Sequence, residues 1–279
     1  MTDTAIIAIL LLTALLHATW NVALKTGADR VLDMAAMRVS GVIFALIVIP
    51  LTPMPAPAAW PPLIASAVAY MAYYGFLISS YRHGDISQVY PIARGSAPLL
   101  VAVAALLVID ETLSPLATAG VIVISVGIIV AGSGAFRQNT RAIVYAVFTG
   151  LTIAANQFLG GVGVREAGTI LGYSAWLELL TCVPFIAFAC YRRTGHVAAY
   201  AATSVARRNV ILGVGSVVSF LVALWAMTHL PIATVTATRE TSAIFAALAG
   251  AILMKEPFAS RRIIAAAIVV AGITLLVIG

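Results

Sequence analysis

The sequence predicts an all-α integral membrane protein whose ten transmembrane helices form two inverted five-helix repeats. Three observations carry that prediction. The 279 residues are 62% hydrophobic and only 9% charged, whereas soluble domains hold about a quarter charged residues. The apolar runs, among them AIIAILLLTALL, GVIFALIVI and GVIVISVGIIVAG, are continuous rather than alternating, so helices fit and a transmembrane β-barrel does not. The chain also repeats itself. Arg94 stands 17 residues before Glu111 and Gly127 a further 16 along, and Arg239, Glu256 and Gly272 keep the same spacing near the C-terminus. Within these copies SAPLLVAVAALLVIDE reads against TSAIFAALAGAILMKE, with Ala102 on Ala247 and Ala104 on Ala249. An apolar segment holding one arginine well inside it, present in both halves, marks a duplicated membrane bundle with a polar centre.

At roughly 20 residues per crossing the spans read as 4–24, 34–51, 62–81, 87–109, 115–132, 142–163, 169–190, 209–229, 231–254 and 260–278. The first runs from its apolar stretch into His17 to Asn21, and a Pro-rich link over 52–62 separates the second from the third. The third carries Tyr70, Tyr73, Tyr74 and Tyr81, and the fourth opens on Tyr90-Pro91 one turn before Arg94. After the fifth comes 133–141 (SGAFRQNTR), the one composition shift between halves, which divides the chain into repeats 1–136 and 137–279. The sixth holds Asn156 and Gln157, the seventh Glu178, Cys182 and Cys190. An arginine-rich link over 191–209 leads to the eighth, and His229-Leu230-Pro231 forms the tight turn into the ninth. The two cysteines fall inside one apolar run and read as packing residues. No basic n-region or cleavage site precedes the first span, so it does not read as a signal peptide.

An odd number of spans per repeat makes the second copy enter the membrane from the opposite side, and the charges agree. The second-to-third link has no Lys or Arg, while its counterpart holds Arg192, Arg193, Arg207 and Arg208. The fourth-to-fifth link has only Asp110 and Glu111, its counterpart Lys255, Arg261 and Arg262. Sorting the 16 Lys and Arg by side puts 13 on one face, Arg165 on the other, and Arg94 and Arg239 within the membrane. The positive-inside rule then places both termini outside, in a bacterial-type inner membrane.

On these features the chain resembles the drug/metabolite transporter superfamily, specifically its ten-helix EamA-type branch. The marks are the repeated acidic turns Asp110-Glu111-Thr112-Leu113-Ser114 and Lys255-Glu256-Pro257-Phe258 and the glycine-bearing helices after them. The resemblance implies a central cavity lined mainly by spans 1, 3, 4, 6, 8 and 9, and the export or occasional uptake of small metabolites. Relatives often keep both termini in the cytoplasm, and the charges here argue the reverse.

Arg94 and Arg239 each lie roughly 12 Å deep at 1.5 Å per residue. A charge at that depth costs at least about 2.5–3.5 kcal/mol on insertion scales. Two readings stand. Either the guanidiniums hold an anionic substrate group, for which their planar fork suits carboxylate, phosphate or phosphonate, or they form structural ion pairs with Glu240 and Glu178. Those two carboxylates are also the candidates for proton coupling, with His17 beside them. Trp20, Asn21, Tyr74, Tyr90 and Asn156 complete the candidate substrate-binding set, while helix-joining hydrogen bonds and an ordinary aromatic stripe are the competing readings. Pro91 loosens the turn beside Arg94. Glu111 and Glu256 sit at helix ends, where their repetition predicts capping or gating contacts between the halves. Gly95, Gly127, Gly160, Gly161, Gly163 and Gly272 permit the close helix contacts that rocking repeats need.

The +6 balance belongs to membrane-flanking loops and not to nucleic-acid binding. No phosphate loop, metal-spaced His/Cys set or nucleophile–base pair is evident. The reading is therefore of no enzyme, no metal and no cofactor. The expectation is a secondary transporter, an exporter, of a small anionic or zwitterionic metabolite such as an amino acid, organic acid or phosphonate. It would work by alternating access in the lipid bilayer, as a monomer or homodimer. The alternatives are an exporter of lipophilic cations, a non-transporting receptor or scaffold, and a lipid-linked sugar flippase.

Overall fold

A computed structural model describes residues 1–25, 29–83, 86–132, 140–245 and 260–279. Among these residues every regular element is helical. In chain order they are α1 (Asp3–Lys25), α2 (Arg30–Val48), α3 (Trp60–His83), α4 (Ile86–Ile109), α5 (Pro115–Gly132), α6 (Thr140–Glu166), α7 (Ile170–Arg192), the short α8 (Val197–Ala201), α9 (Ser204–Met227), α10 (Ile232–Glu240) and α11 (Ser260–Ile278). Two 3₁₀ turns, Ile49–Leu51 and Pro57–Ala59, sit in the Pro-rich link. Among the described residues, five helical stretches are long and apolar enough to cross a membrane: Arg30–Leu51, Pro91–Ile109, Thr140–Glu166, Ile170–Arg192 and Ser204–Met227. Asp3–Thr19, Pro115–Val130 and Ile264–Ile278 are shorter apolar helices. The join over 133–139 and the later part of the expected ninth span, 246–254, lie outside the described residues.

Capping decides where several helices begin, and it moves two starts from the sequence expectation. The Asp29 carboxylate accepts from the Val31 and Leu32 amides, satisfying donors that a helix start leaves orphaned. It starts α2 at Arg30, four residues before the expected edge. Arg38, sorted from sequence with the flanking basic residues, therefore lies eight residues inside the helix. Thr203 accepts from Ala206 N and opens α9 at Ser204, so Arg207 and Arg208 belong to its first turns rather than to a loop. The remainder of that link forms α8. At the other end of the bundle α6 runs on to Glu166, which puts Arg165 in its last turn.

Packing pairs the two halves. α3 lies on α6 and α1 on α9; α4 lies on α6 and α1 on α10; α2 lies on α9 and α3 on α7. The pairs α2 with α7, α4 with α10 and α5 with α11 complete the set. The α5–α11 contact is set by glycine: a Cβ on Gly120 would stand 2.9 Å from the Gly272 carbonyl, and one on Gly272 would stand 3.0 Å from the Gly120 carbonyl. The main buried apolar cluster draws on α1, α3, α4, α6, α7, α9 and α10, and polar groups of the same helices lie at its edge.

Candidate functional site

The site begins at α4 and α10. Arg94 donates from Nη1 to both carboxylate oxygens of Glu240, at 3.2 and 2.9 Å. The Glu240 side chain is 1% exposed and that of Arg94 14%. One residue earlier on α10, Arg239 turns to another helix and donates to Gln157 Oε1 of α6 at 2.9 Å. Backbone bonding is weakened in one helix here and stops in the other. α4 carries Pro91 and Pro98, each of which removes a backbone donor, and α10 ends at Glu240 with Thr241 as its C-cap. Ser96 Oγ donates back to Ala93 O at 3.2 Å and Thr241 Oγ1 back to Thr238 O at 2.6 Å. The two hydroxyls occupy matching positions in the repeated segments, and each serves a carbonyl three residues back.

A third guanidinium enters from α2. Arg38 Nη2 donates to the hydroxyls of Tyr70 and Tyr74, the latter at 3.0 Å. Its carbon centre lies 5.1 Å from the centroid of the Tyr70 ring, within cation–π range. Tyr74 O–H donates to Tyr70 at 3.1 Å, and the rings of Tyr70, Tyr73 and Tyr74 pack on one another. Arg38 Nε is buried and has no hydrogen-bond partner among the described residues. Glu178 of α7 lines the same crevice. Its Oε2 accepts from Cys182 Sγ at 3.0 Å and lies against Gly41 of α2, where a Cβ would stand 2.4 Å from it. His17 of α1 is within electrostatic range of Arg94, Arg239 and Arg38, and Tyr70 within range of Arg239. Seven helices thus contribute charged or polar groups to one central region. Among the described residues no carboxylate lies within ion-pair distance of Arg38 or Arg239.

Each end of the bundle carries its own polar clasp. Where α4, α6 and α9 finish, Glu111 Oε1 pairs with Arg165 Nη1 at 2.8 Å and Glu111 Oε2 accepts from Ile232 N at 2.8 Å. Arg165 also donates to the carbonyls of Met227 and Leu230, at 2.6 and 3.0 Å. One carboxylate therefore caps the start of α10, while its arginine closes the end of α9. At the opposite end Asp33 Oδ1 accepts from Tyr200 O–H at 2.6 Å and from Asn209 Nδ2 at 2.7 Å. Burial, then the hydrogen bond to Asp33, push the Tyr200 hydroxyl up to about 12. Asp29 pairs there with Arg193 at 2.6 Å. Burial raises its carboxyl, but the Leu32 amide and Arg193 outweigh that and hold it below its ordinary value.

Of the residues singled out from sequence, Arg94, Arg239, Glu240, His17 and Tyr74 fall in or beside the central region. Asn156 does not reach Arg239. Its Nδ2 donates to the carbonyl and hydroxyl of Ser66, at 3.1 and 3.0 Å, joining α6 to α3, and its neighbour Gln157 meets the arginine instead. The Glu178–Arg239 pair weighed above is not formed, because Glu178 stays on the α2–α7 contact. Glu256 lies outside the described residues, as do the side chains of Trp20, Asn21, Tyr81 and Tyr90. Sequence reasoning missed Arg38 and the clasp role of Arg165, and it named Gln157 only beside Asn156. The signal for Arg38 was Asp29 as an N-cap nine residues before it, together with a tyrosine-rich third span.

Residues 4–133 match the model of the EamA-like transporter family. No curated protein matches the sequence. A solved structure, titled only "Crystal structure of protein", superposes on the chain with a TM-score of 0.80, covering 99% of each chain at 17% identity. That likeness concerns the fold.

Proposed function

We propose that this chain, whose residues 4–133 match the EamA-like transporter family, is a secondary transporter that carries a small anionic or zwitterionic metabolite across the bilayer by alternating access. It has ten spans in two inverted repeats, 1–136 and 137–279, and works as an exporter with both termini outside the inner membrane. The packing supports the repeat. Exchanging α1 with α6, α2 with α7, α3 with α9 and α4 with α10 turns each helix contact named above into another of the set.

The observation that carries the substrate class is Arg239. This guanidinium is set within the bundle, and its hydrogen-bond partner, Gln157, is neutral. A half-buried cation of this kind calls for a counter-charge, and a carboxylate or phosphonate arriving from solution supplies one through the planar fork. Arg94, neutralised by Glu240, positions the site and shapes its field. Amino acids, organic acids and phosphonates fit this chemistry.

The test is ligand-induced thermal stabilisation of the purified protein, since a ligand stabilises the folded state by its excess over Kd. Small acids, zwitterions and lipophilic cations are compared on wild type and Arg239→Gln, with counterflow of the best ligand in proteoliposomes. Stabilisation and flux by an acid in wild type, absent from the variant, support the reading. Flux of lipophilic cations unchanged by the substitution sinks it in favour of cation export. A protein that moves none of these solutes leaves the receptor or scaffold.

A further inference from the structure

Resting on that reading, the geometry points to Arg38 with Tyr70 and Tyr74 as a second anion-binding element of the same site, so that the transported solute carries two acidic groups, one for Arg239 and one for Arg38. Arg38 is set in α2 at the same remove from its helix start as Arg94 in α4, eight residues along. Its hydrogen-bond partners are two phenol hydroxyls, which orient a guanidinium without cancelling its charge. The Tyr70 ring beneath it adds quadrupole attraction, again without a counter-ion. Nε faces no acceptor among the described residues, so one edge of the fork still has a donor to give. Glu178, which lines the same crevice, lies within electrostatic range but beyond ion-pair distance, its oxygen turned to Cys182 and Gly41.

Tyr70 ties the two cations into one site. It accepts from Arg38 and lies within electrostatic range of Arg239, and His17 lies within the same range of both guanidiniums. A monoacid can answer only one of these guanidiniums at a time. A compact diacid answers both, and the second charge-assisted contact is then gained without further loss of translational freedom. Tyrosine hydroxyls freed from Arg38 would turn to the incoming oxygens as donors. Discrimination therefore falls on the number of acidic groups and on their separation.

The experiment measures Kd by thermal stabilisation for butyrate and for the series malonate, succinate and glutarate, on wild type, Arg38→Gln and Arg239→Gln. In wild type at least one diacid binds about tenfold or more tighter than butyrate, the gain of one charge-assisted hydrogen-bonded contact. In Arg38→Gln that ratio falls to about one while the Kd for butyrate stays put; in Arg239→Gln butyrate binding is lost as well. A wild type that prefers butyrate or is indifferent to the second acid overturns the inference and leaves the single-anion site intact. An unchanged ratio in Arg38→Gln, or equal loss of both ligands, overturns it too. Should Arg38→Gln fail to fold, the Tyr70→Phe/Tyr74→Phe double variant takes its place, with a severalfold fall in the ratio expected and an unchanged ratio fatal. If no acid binds wild type at all, the anion-transport reading itself has failed.

Discussion

Arg94 of α4 and Glu240 of α10 meet at 2.9 Å, with the carboxylate side chain 1% exposed. Because the pair is buried, removing one partner strands the other. Arg94→Gln should cost about 3–5 kcal/mol of stability. The double variant Arg94→Gln/Glu240→Gln should recover much of that loss, since two amides leave no buried charge. Unfolding midpoints in detergent decide it, and a double variant no better than the single would show that the pair is not the source of the cost.

Arg239 behaves differently for the same reason. Its substitution by Gln gives up a charge-assisted hydrogen bond to Gln157, about 1.5–3 kcal/mol. On the proposed ten-span reading it also removes a cation inside the membrane, whose insertion costs about 2.5–3.5 kcal/mol. The two nearly cancel, so Arg239→Gln should melt close to wild type while losing stabilisation by small acids. Melting as low as Arg94→Gln would mark Arg239 as a structural cation.

These contrasts show what could be read in advance. The duplicated spacing of Arg94 and Arg239 was legible because helix period and charge leave a trace in one dimension. The choice between Asn156 and Gln157 was not: adjacent residues point about 100° apart on a helix, and an apolar-all-round span gives no stripe from which to read its faces. Arg38 was misassigned for a local reason. Asp29 draws the start of α2 back by four residues, which turns a flanking charge into an interior one. That Glu111 lies at a helix end was visible; that it spans to Arg165 and the start of α10 depended on three helices finishing together.

Glu111 gives the next prediction. Its bond to Ile232 N acts as an N-terminal cap, worth about 0.5–2 kcal/mol, while the Arg165 pair adds less because both side chains are partly exposed, at 29% and 15%. Glu111→Ala should cost about 1–2 kcal/mol and speed amide exchange in the first turn of α10. Glu111→Gln, which can still accept from the amide, should cost less. Equal losses in the two would place the energy in the ion pair instead.

The Tyr200–Asp33 contact predicts an alkaline transition. With the Tyr200 hydroxyl raised to about 12 in the folded protein and near 10 in an unfolded chain, its contribution is fully present below pH ~10. It is lost as pH rises through the folded value. The tyrosinate absorbance difference between wild type and Tyr200→Phe should therefore titrate near pH 12. A midpoint near 10 would mean that neither burial nor Asp33 acts on the hydroxyl.

Gly120 and Gly272 set the closest approach of α5 and α11. Gly120→Ala brings a methyl to 2.9 Å from the Gly272 carbonyl and 3.0 Å from the Leu276 amide nitrogen, both backbone atoms that a rotamer change cannot move aside. The helices must part, at a cost of about 1–3 kcal/mol. Gly272→Ala meets Ile124 N at 2.9 Å and the Gly120 carbonyl at 3.0 Å, so it forces the same separation from the other side. Once one alanine has parted the helices the second finds space, and the double variant should lose less than the two single losses added together. Gly75→Ala, with nothing within 4 Å of the new methyl, should instead gain about 0.5–1 kcal/mol from helix propensity. Strict additivity of the Gly120 and Gly272 losses in unfolding experiments would mean that each glycine acts on its own helix, not on the contact between them.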